Sequence, residues 1–335
     1  MNSEITEKKA VVLSGIRATG RLHLGNYLGA VRHFVEYQTG SNRCMYFVAD
    51  WHSLTECPDP TKLRGNLIEM VTDYLAAGLD PEKSIIYAQS SVPEIAELSL
   101  CLSMLQPLGR LQGLTTVKDL VRKHGSATLG LVTYPVLMAA DILGPKATVI
   151  PVGEDQTANV ELARELARRF NNRYGETFPM PEAIKEKIKV PGLNGEKMGK
   201  SDAVNAVDIG APIDDMRRRY LKDGITDPAR KTRSDPGDPN KCLSVYPVHA
   251  LVTPEAELSR VGRQCRGAEI GCVECKNLLV DNLAKLIEPF QAKRQELDSK
   301  RSEVVEILHE GGKQARRIIS ETVAEVREKM GIVIY

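Results

Sequence analysis

Apolar positions in the first half of the chain follow two alternating periods. The stretches 10–14 (Ala-Val-Val-Leu-Ser), 45–49 (Met-Tyr-Phe-Val-Ala), 84–88 (Ser-Ile-Ile-Tyr-Ala) and 146–152 (Lys-Ala-Thr-Val-Ile-Pro-Val) are short, apolar and rich in β-formers, which predicts buried strands. Between them apolar residues recur at helical spacing. Leu28, Val31, Phe34 and Val35 mark 27–37, and Leu63, Leu67, Met70, Val71 and Tyr74 mark 61–77. Further helices are expected over 93–105 and from about Asp155 to Phe170. Strands alternating with helices predict an α/β fold, a doubly wound parallel sheet covered on both faces. Ligands on such sheets sit at the carboxyl ends of the strands. After about residue 205 the pattern changes: 227–240 is Pro/Gly/Asp-rich and loop-like, and 276–330 is helical throughout, with Leu279, Leu283, Leu286, Ile287 and Phe290 on one stripe. Gly311-Gly312 is expected to break the last helical stretch in two.

Composition narrows the class. The 335 residues are 42% hydrophobic and 27% charged, enough for a large core and about two domains. Lys plus Arg is 45 against 44 for Asp plus Glu, so neither a polycation nor an acidic tail is present. No apolar run approaches the roughly 18 residues that span a bilayer, and the first residues lack the apolar stretch of a signal peptide. A cytoplasmic protein without membrane partners is expected. Seven cysteines is an odd number for a disulfide framework, which favours reduced thiols or a metal site.

Two segments carry phosphate chemistry. Ser14-Gly15-Ile16-Arg17-Ala18-Thr19-Gly20-Arg21-Leu22-His23-Leu24-Gly25-Asn26 joins the first strand to the first helix. Its glycines allow close backbone approach, and the helix start offers amide donors and a positive dipole end. His23 can donate to a phosphate as charge develops. Lys197-Met198-Gly199-Lys200-Ser201 lies in a loop with Pro191-Gly192-Leu193-Asn194-Gly195 and puts two lysines where they can follow a transferring phosphate. A third segment, Tyr134-Pro135-Val136-Leu137-Met138-Ala139-Ala140-Asp141, sets Tyr134, Met138 and Asp141 on one helix face, suited to a flat apolar ligand bearing one N–H. Each alone also fits an ordinary turn, surface loop or core helix.

Together these segments resemble the class I aminoacyl-tRNA synthetases, whose two signatures are usually written HIGH and KMSKS. Asn26 stands for the second histidine and Gly199 for the first serine. With Val48-Ala49-Asp50-Trp51-His52 and Val149-Ile150-Pro151-Val152-Gly153-Glu154-Asp155-Gln156, the chain is similar to the bacterial tryptophanyl-tRNA synthetases over nearly its whole length. The resemblance implies a Rossmann-like catalytic domain (1–205), an all-helical anticodon-binding domain (206–310) and a C-terminal helix (311–335) packing back on the first. It implies activation of tryptophan with ATP and Mg²⁺, transfer to tRNA(Trp), and a homodimer. Asp141 then accepts the indole N–H. Leu13, Gly15, Tyr134, Met138 and Val152 surround the ring, and His52 and Gln156 lie near the amino-acid moiety. ATP falls to Arg17, Ala18, Thr19, Gly25, Asn26, Gly153, Glu154, Asp155, Val190, Lys197, Met198, Gly199, Lys200 and Ser201. Catalysis falls to His23, Asn26, Lys197 and Lys200, with Lys118 or Lys123 as a further ATP contact. The tyrosyl branch usually has a tyrosine where Leu13 stands; an apolar residue there leaves a single polar partner, which suits indole better than phenol. A paralogue that forms or binds an adenylate without charging tRNA is the other reading.

Cys242, Cys265, Cys272 and Cys275 form C-x22-C-x6-C-x2-C. Four thiolates suit zinc or an iron–sulfur cluster. The family resemblance implies a [4Fe-4S] cluster, with zinc or an empty set as alternatives. Cys44, Cys57 and Cys101 read as small buried hydrophobes. Basic residues recur at Arg217-Arg218-Arg219, Arg230, Lys231, Arg233, Arg260, Arg263 and Arg266, as a tRNA-facing surface requires.

Overall fold

The computed structural model describes residues 9–56, 59–124, 128–186, 189–199 and 204–332. Along the chain run β1 (Val11–Arg17), α1 (Leu24–Asn26), a π-helical turn (Tyr27–Val31), α2 (Arg32–Tyr37), β2 (Arg43–Ala49), α3 (Asp50–Ser53), α4 (Pro60–Ala76) and β3 (Ser84–Ala88). Then come α5 (Glu94–Ser103), α6 (Leu108–Gly113), α7 (Thr115–His124), α8 (Leu129–Leu143), β4 (Val149–Gly153), α9 (Thr157–Tyr174) and β5 (Glu182–Glu186). The remainder is helical: α10 (Ile213–Asp223), α11 (Val245–Val252), α12 (Glu255–Arg266), α13 (Cys272–Ser299) and α14 (Arg301–Met330).

The sheet is parallel, in the order β3-β2-β1-β4-β5. Chain order reverses between β1 and β4, and that switch point opens a crevice at their carboxyl ends. Strand β2 shows why its sequence is an unbroken apolar run. Cys44, Tyr46 and Val48 point into one core and Met45, Phe47 and Ala49 into the other. Both faces are covered, so no polar alternation is possible. On the first face Phe34 stacks on Tyr46 at 4.6 Å. On the second, Leu13 and Met45 pack among residues of α5, α8, α9 and α14.

The structure corrects two expectations. Strand β4 begins at Val149, later than 146, because Lys146 turns through a left-handed conformation (φ 56°). Gly311-Gly312 does not break a helix: α14 runs through both, and the interruption lies at Lys300. The pair instead allows close packing. A Cβ on Gly311 would lie 1.9 Å from the carbonyl oxygen of Ile86 in β3, and one on Gly312 would lie 2.7 Å from Ser91 Oγ. Helix α14 thus lies directly against the edge of the sheet, held by Lys146–Glu325 at 2.6 Å and Arg316–Glu94 at 2.8 Å. Among the described residues no helix is long and apolar enough to cross a membrane.

Candidate active site

The crevice at the switch point is a cavity of about 530 Å³. Its inner wall is apolar, made by Leu13, Phe47, Met138, Ile150 and Val152, with Tyr134 at one side. The buried carboxylate among its lining residues is Asp141. Asp141 in α8 is only 3% exposed. Its oxygens are held by Gln89 Nε2, at 2.9 and 3.0 Å, and by His52 Nε2 at 2.8 Å. The backbone N–H of His52 donates in turn to Gln89 Oε1 at 3.3 Å. Burial pushes the Asp141 carboxyl up, against the bonds from His52 and Gln89, which favour the ionised form. A carboxylate offers about four acceptor sites, and these three contacts leave room for one more donor. The His52 ring meets Tyr134 edge-on at 6.2 Å. All eight residues assigned to the amino acid, namely Leu13, Gly15, His52, Tyr134, Met138, Asp141, Val152 and Gln156, line this one cavity.

The opposite end is built by loops. Arg17, Asn26 and Asp155 line it. The side-chain oxygen of Asn26 is buried and has no hydrogen-bond partner among the described residues, so it is left as an acceptor. His23 caps α1, its Nδ1 accepting from the Asn26 N–H at 3.2 Å, which leaves Nε2 as the proton-bearing nitrogen when the ring is neutral. Gly25 is where the two phosphate segments meet. A Cβ there would lie 2.9 Å from His23 Nδ1 and 3.0 Å from Met198 Cβ. Lys197 Nζ reaches Asp155 Oδ1 at 3.2 Å across the mouth. Burial raises the Asp155 carboxyl, but Gln156 and Lys197 outweigh it and hold it below its ordinary range.

Ala18, Thr19, His23, Gly25, Gly153, Glu154, Val190, Lys197, Met198 and Gly199 do not line the cavity. Ala18, Val190 and Met198 are buried, and Glu154 pairs with Lys189 at 3.3 Å. Lys200 and Ser201 lie outside the described residues, as does the side chain of Lys123. Lys118 is exposed on α7, which turns Thr116 and Asp119 to the cavity instead. The residue that sequence reasoning missed is Gln89, fully buried at the end of β3. Its only signal was its place one residue past a predicted strand, at the edge where ligands bind.

The family model for class I tRNA synthetases (W and Y) matches residues 6–288. The chain belongs to that family. The tryptophan–tRNA ligase of Thermotoga maritima is 42% identical over 328 residues, covering 96% of this chain and 99% of the relative. That of Deinococcus radiodurans is also 42% identical, covering 96% and 98%. A tryptophanyl-tRNA synthetase from Campylobacter jejuni, solved with ADP and tryptophan, superposes with a TM-score of 0.85 at 34% identity, covering 96% of this chain and 99% of that one. In this class I synthetase, then, the parallel sheet is the family's fold, with the cavity at its switch point.

A second pocket lies in the helical half of the synthetase. Cys242, Cys265, Cys272 and Cys275 all line it, with Arg230 and Tyr246. The Tyr246 N–H points at Cys242 Sγ at 3.3 Å, and Arg230 Nη1 at Cys265 Sγ at 3.8 Å. Burial pushes the Cys275 thiol up to about 12, with the neighbouring thiols adding to it. Among the described residues no three His, Cys, Asp or Glu side chains form a group that could hold one metal ion. Cys44 and Cys101 are buried in the two cores; Cys57 lies outside the described residues. Several of the basic residues are committed internally. Arg217 pairs with Asp281 at 2.8 Å, Arg219 donates to the carbonyl of Ala206 at 2.6 Å, and Arg260 pairs with Glu257 at 3.1 Å.

Proposed function

We infer that this chain is a tryptophan–tRNA ligase. The observation that carries the reading is the buried Asp141 carboxylate, fixed by Gln89 and His52 at the end of an otherwise apolar slot. An indole fills such a slot and supplies the one donor it lacks. Leu13, where the tyrosyl branch has a hydroxyl partner, supports tryptophan over tyrosine, as do the relatives' names.

The tryptophan carboxylate attacks the α-phosphorus of ATP. The bond to the bridging oxygen of the β-phosphate breaks, giving tryptophanyl-adenylate and pyrophosphate. A terminal ribose hydroxyl of tRNA(Trp) then attacks the adenylate carbonyl, and AMP leaves. Both steps are positioning and charge stabilisation. In our reading Asp141 orients the ring, Gln156 binds near the amino group, and His52 lies near the amino acid and holds Asp141. Arg17, Thr19, Gly25 and Asn26 cradle the phosphates with His23 donating. Gly153, Glu154, Asp155 and Val190 take the adenosine, and Lys197 and Lys200 follow the departing pyrophosphate with Met198, Gly199 and Ser201. Mg²⁺ that enters with ATP neutralises phosphate charge. The further lysine contact with ATP falls to Lys118 or Lys123 on α7.

The same reading takes 1–205 as the catalytic domain, 206–310 as the anticodon-binding domain and 311–335 as a returning helix, in a cytoplasmic homodimer. Exposed Leu100, Met104 and Leu108, clustered from α5 to α6, supply apolar surface for a second copy. For the cysteine pocket we favour a [4Fe-4S] cluster. Four cysteine sulfurs around one pocket support that reading. Cys242, Cys265, Cys272 and Cys275 would hold it, and it would pin the start of α13 to α12 and the 227–242 loop. Anaerobic titration with iron and sulfide should give four irons per chain; stoichiometric zinc instead would refute the cluster.

The test of the function is ATP–pyrophosphate exchange with each amino acid separately and no tRNA. Exchange with tryptophan alone supports the reading. Exchange with tyrosine would overturn the pocket assignment, no exchange at all would favour a binding or regulatory paralogue, and exchange with tryptophan without charging of tRNA(Trp) would identify a paralogue that forms the adenylate only.

A further inference from the structure

One turn of α13 grips both phosphate segments from behind, well away from the cavity lining. Gln291 and Arg294 stand at i and i+3, hence on one helix face.

Arg294 is buried, 4% exposed. Its guanidinium pairs with Asp73 and Glu69 on α4. The other oxygen of Asp73 accepts the backbone N–H of Leu22 at 2.7 Å. Glu69 also holds Arg21 at 3.3 Å. Arg21 and Leu22 are the two residues before His23. The acids of α4 therefore stand between the first phosphate segment and α13, and Arg294 fixes them.

Gln291 serves the other segment. Its Nε2 donates to the carbonyls of Ile209 at 2.9 Å and Ala211 at 2.8 Å, using both of its hydrogens. The stretch just before, 205–208, is bound to both phosphate segments. Leu24 N–H donates to Val207 O at 2.7 Å, and His23 bridges Asp208. Asn205 Oδ1 accepts the Asn194 N–H at 3.0 Å, and its Nδ2 donates to Lys197 O at 3.4 Å. Neither Gln291 nor Arg294 lines the cavity.

We propose that Gln291 and Arg294 are positioning residues for adenylate formation, which set the His23 segment and the Lys197 loop in register with each other. The proposal rests on the activation chemistry above. It explains why a buried arginine and a doubly bonded glutamine fall on the side of α13 that faces the sheet domain. Two fixed carbonyls and one fixed acid pair restrain both segments, and transfer of this kind tolerates a misplacement of well under about 1 Å.

Arg294→Met would take the guanidinium from the buried Asp73 carboxylate and can fail to fold. Gln291→Leu, at a half-exposed position and nearly volume-conserving, carries the test. In ATP–pyrophosphate exchange with the full chain, kcat/KM for ATP should fall roughly tenfold, with KM for tryptophan unchanged, since the two lost bonds act only on the phosphate segments. The decisive measurement is the double-mutant cycle with Lys197→Ala. If Gln291 acts by placing that lysine's loop, its effect should shrink to about twofold or less in the Lys197→Ala background. Full additivity, or an equal loss on ATP and tryptophan, would overturn the proposal. A wild-type chain without tryptophan-dependent exchange would remove the functional reading itself, which a silent Gln291→Leu in an active enzyme would not.

Discussion

At the amino-acid end of the cavity the polar groups are buried and already bonded to one another. Gln89 is fully buried and Asp141 is 3% exposed, and the two share a pair of bonds near 3 Å. At the phosphate end, Lys197 and Asp155 meet across open solvent, their side chains 70% and 55% exposed. The contrast separates two tasks. Selecting a side chain needs a donor or acceptor held in a dry site before the substrate arrives, because an unpaired polar group there is costly. Following a phosphate through its transfer needs charges that can move, and an exposed ion pair, worth about 1 kcal/mol or less, is easily exchanged for one with ATP.

The largest test of this division falls at the phosphate end. Lys200→Ala should lower the single-turnover rate of adenylate formation by on the order of 10²–10³, as loss of one well-aimed cationic donor does elsewhere. Tryptophan affinity, measured by equilibrium dialysis, should stay within about twofold, because the rigid end is untouched. A parallel loss of tryptophan affinity would show that the two ends are not separate.

The converse variant is Asp141→Ala. It removes the acceptor and strands Gln89 and His52, so kcat/KM for tryptophan should drop by about 10² while KM for ATP holds. Analogues lacking the ring N–H should lose far less, and selectivity unchanged from the parent chain would sink the indole assignment. The wild type carries the same test in its pH profile. Burial raises the Asp141 pKa, so on acidification its proton returns before that of an ordinary carboxyl. The protonated form is the poorer acceptor, and KM for tryptophan should rise as pH falls, while KM for ATP does not follow this group.

These two ends were not equally legible in the sequence. Strands β1 to β4 are apolar runs, and the helices between them keep a clean stripe, so the sheet could be read directly. Strand β5 could not: Glu-Ala-Ile-Lys-Glu has too little apolar content to mark an edge strand. Gly311-Gly312 looked like a stop because glycine usually costs a helix stability, yet here the missing side chains are what let α14 touch β3. In the site, Leu13, Tyr134, Met138 and Asp141 could be placed because spacing and resemblance agree. Gln89, Gln291 and Arg294 could not. A glutamine beyond a strand, and a glutamine and arginine on a long helix, look like solvated positions until the tertiary structure shows what they hold. The π-helical turn at Tyr27–Val31, directly after Asn26, also left no trace in the periodicity.

The smallest effect belongs to the ion pair at the mouth. If Lys197–Asp155 only parks the lysine until ATP arrives, Asp155→Asn should release it, and KM for ATP should fall or stay within about threefold, the range of an exposed pair. If Asp155 also places the adenosine through its neighbours Gly153 and Glu154, the same change should raise KM for ATP while leaving the single-turnover rate at saturation near that of the wild type. Initial rates at varied ATP, with tryptophan fixed at saturation, separate the two. The first result makes the phosphate end a loop held loosely by one exchangeable contact. The second makes Asp155 part of the nucleotide's fixed seat, and the boundary between rigid and mobile then runs between Asp155 and Lys197 rather than through both.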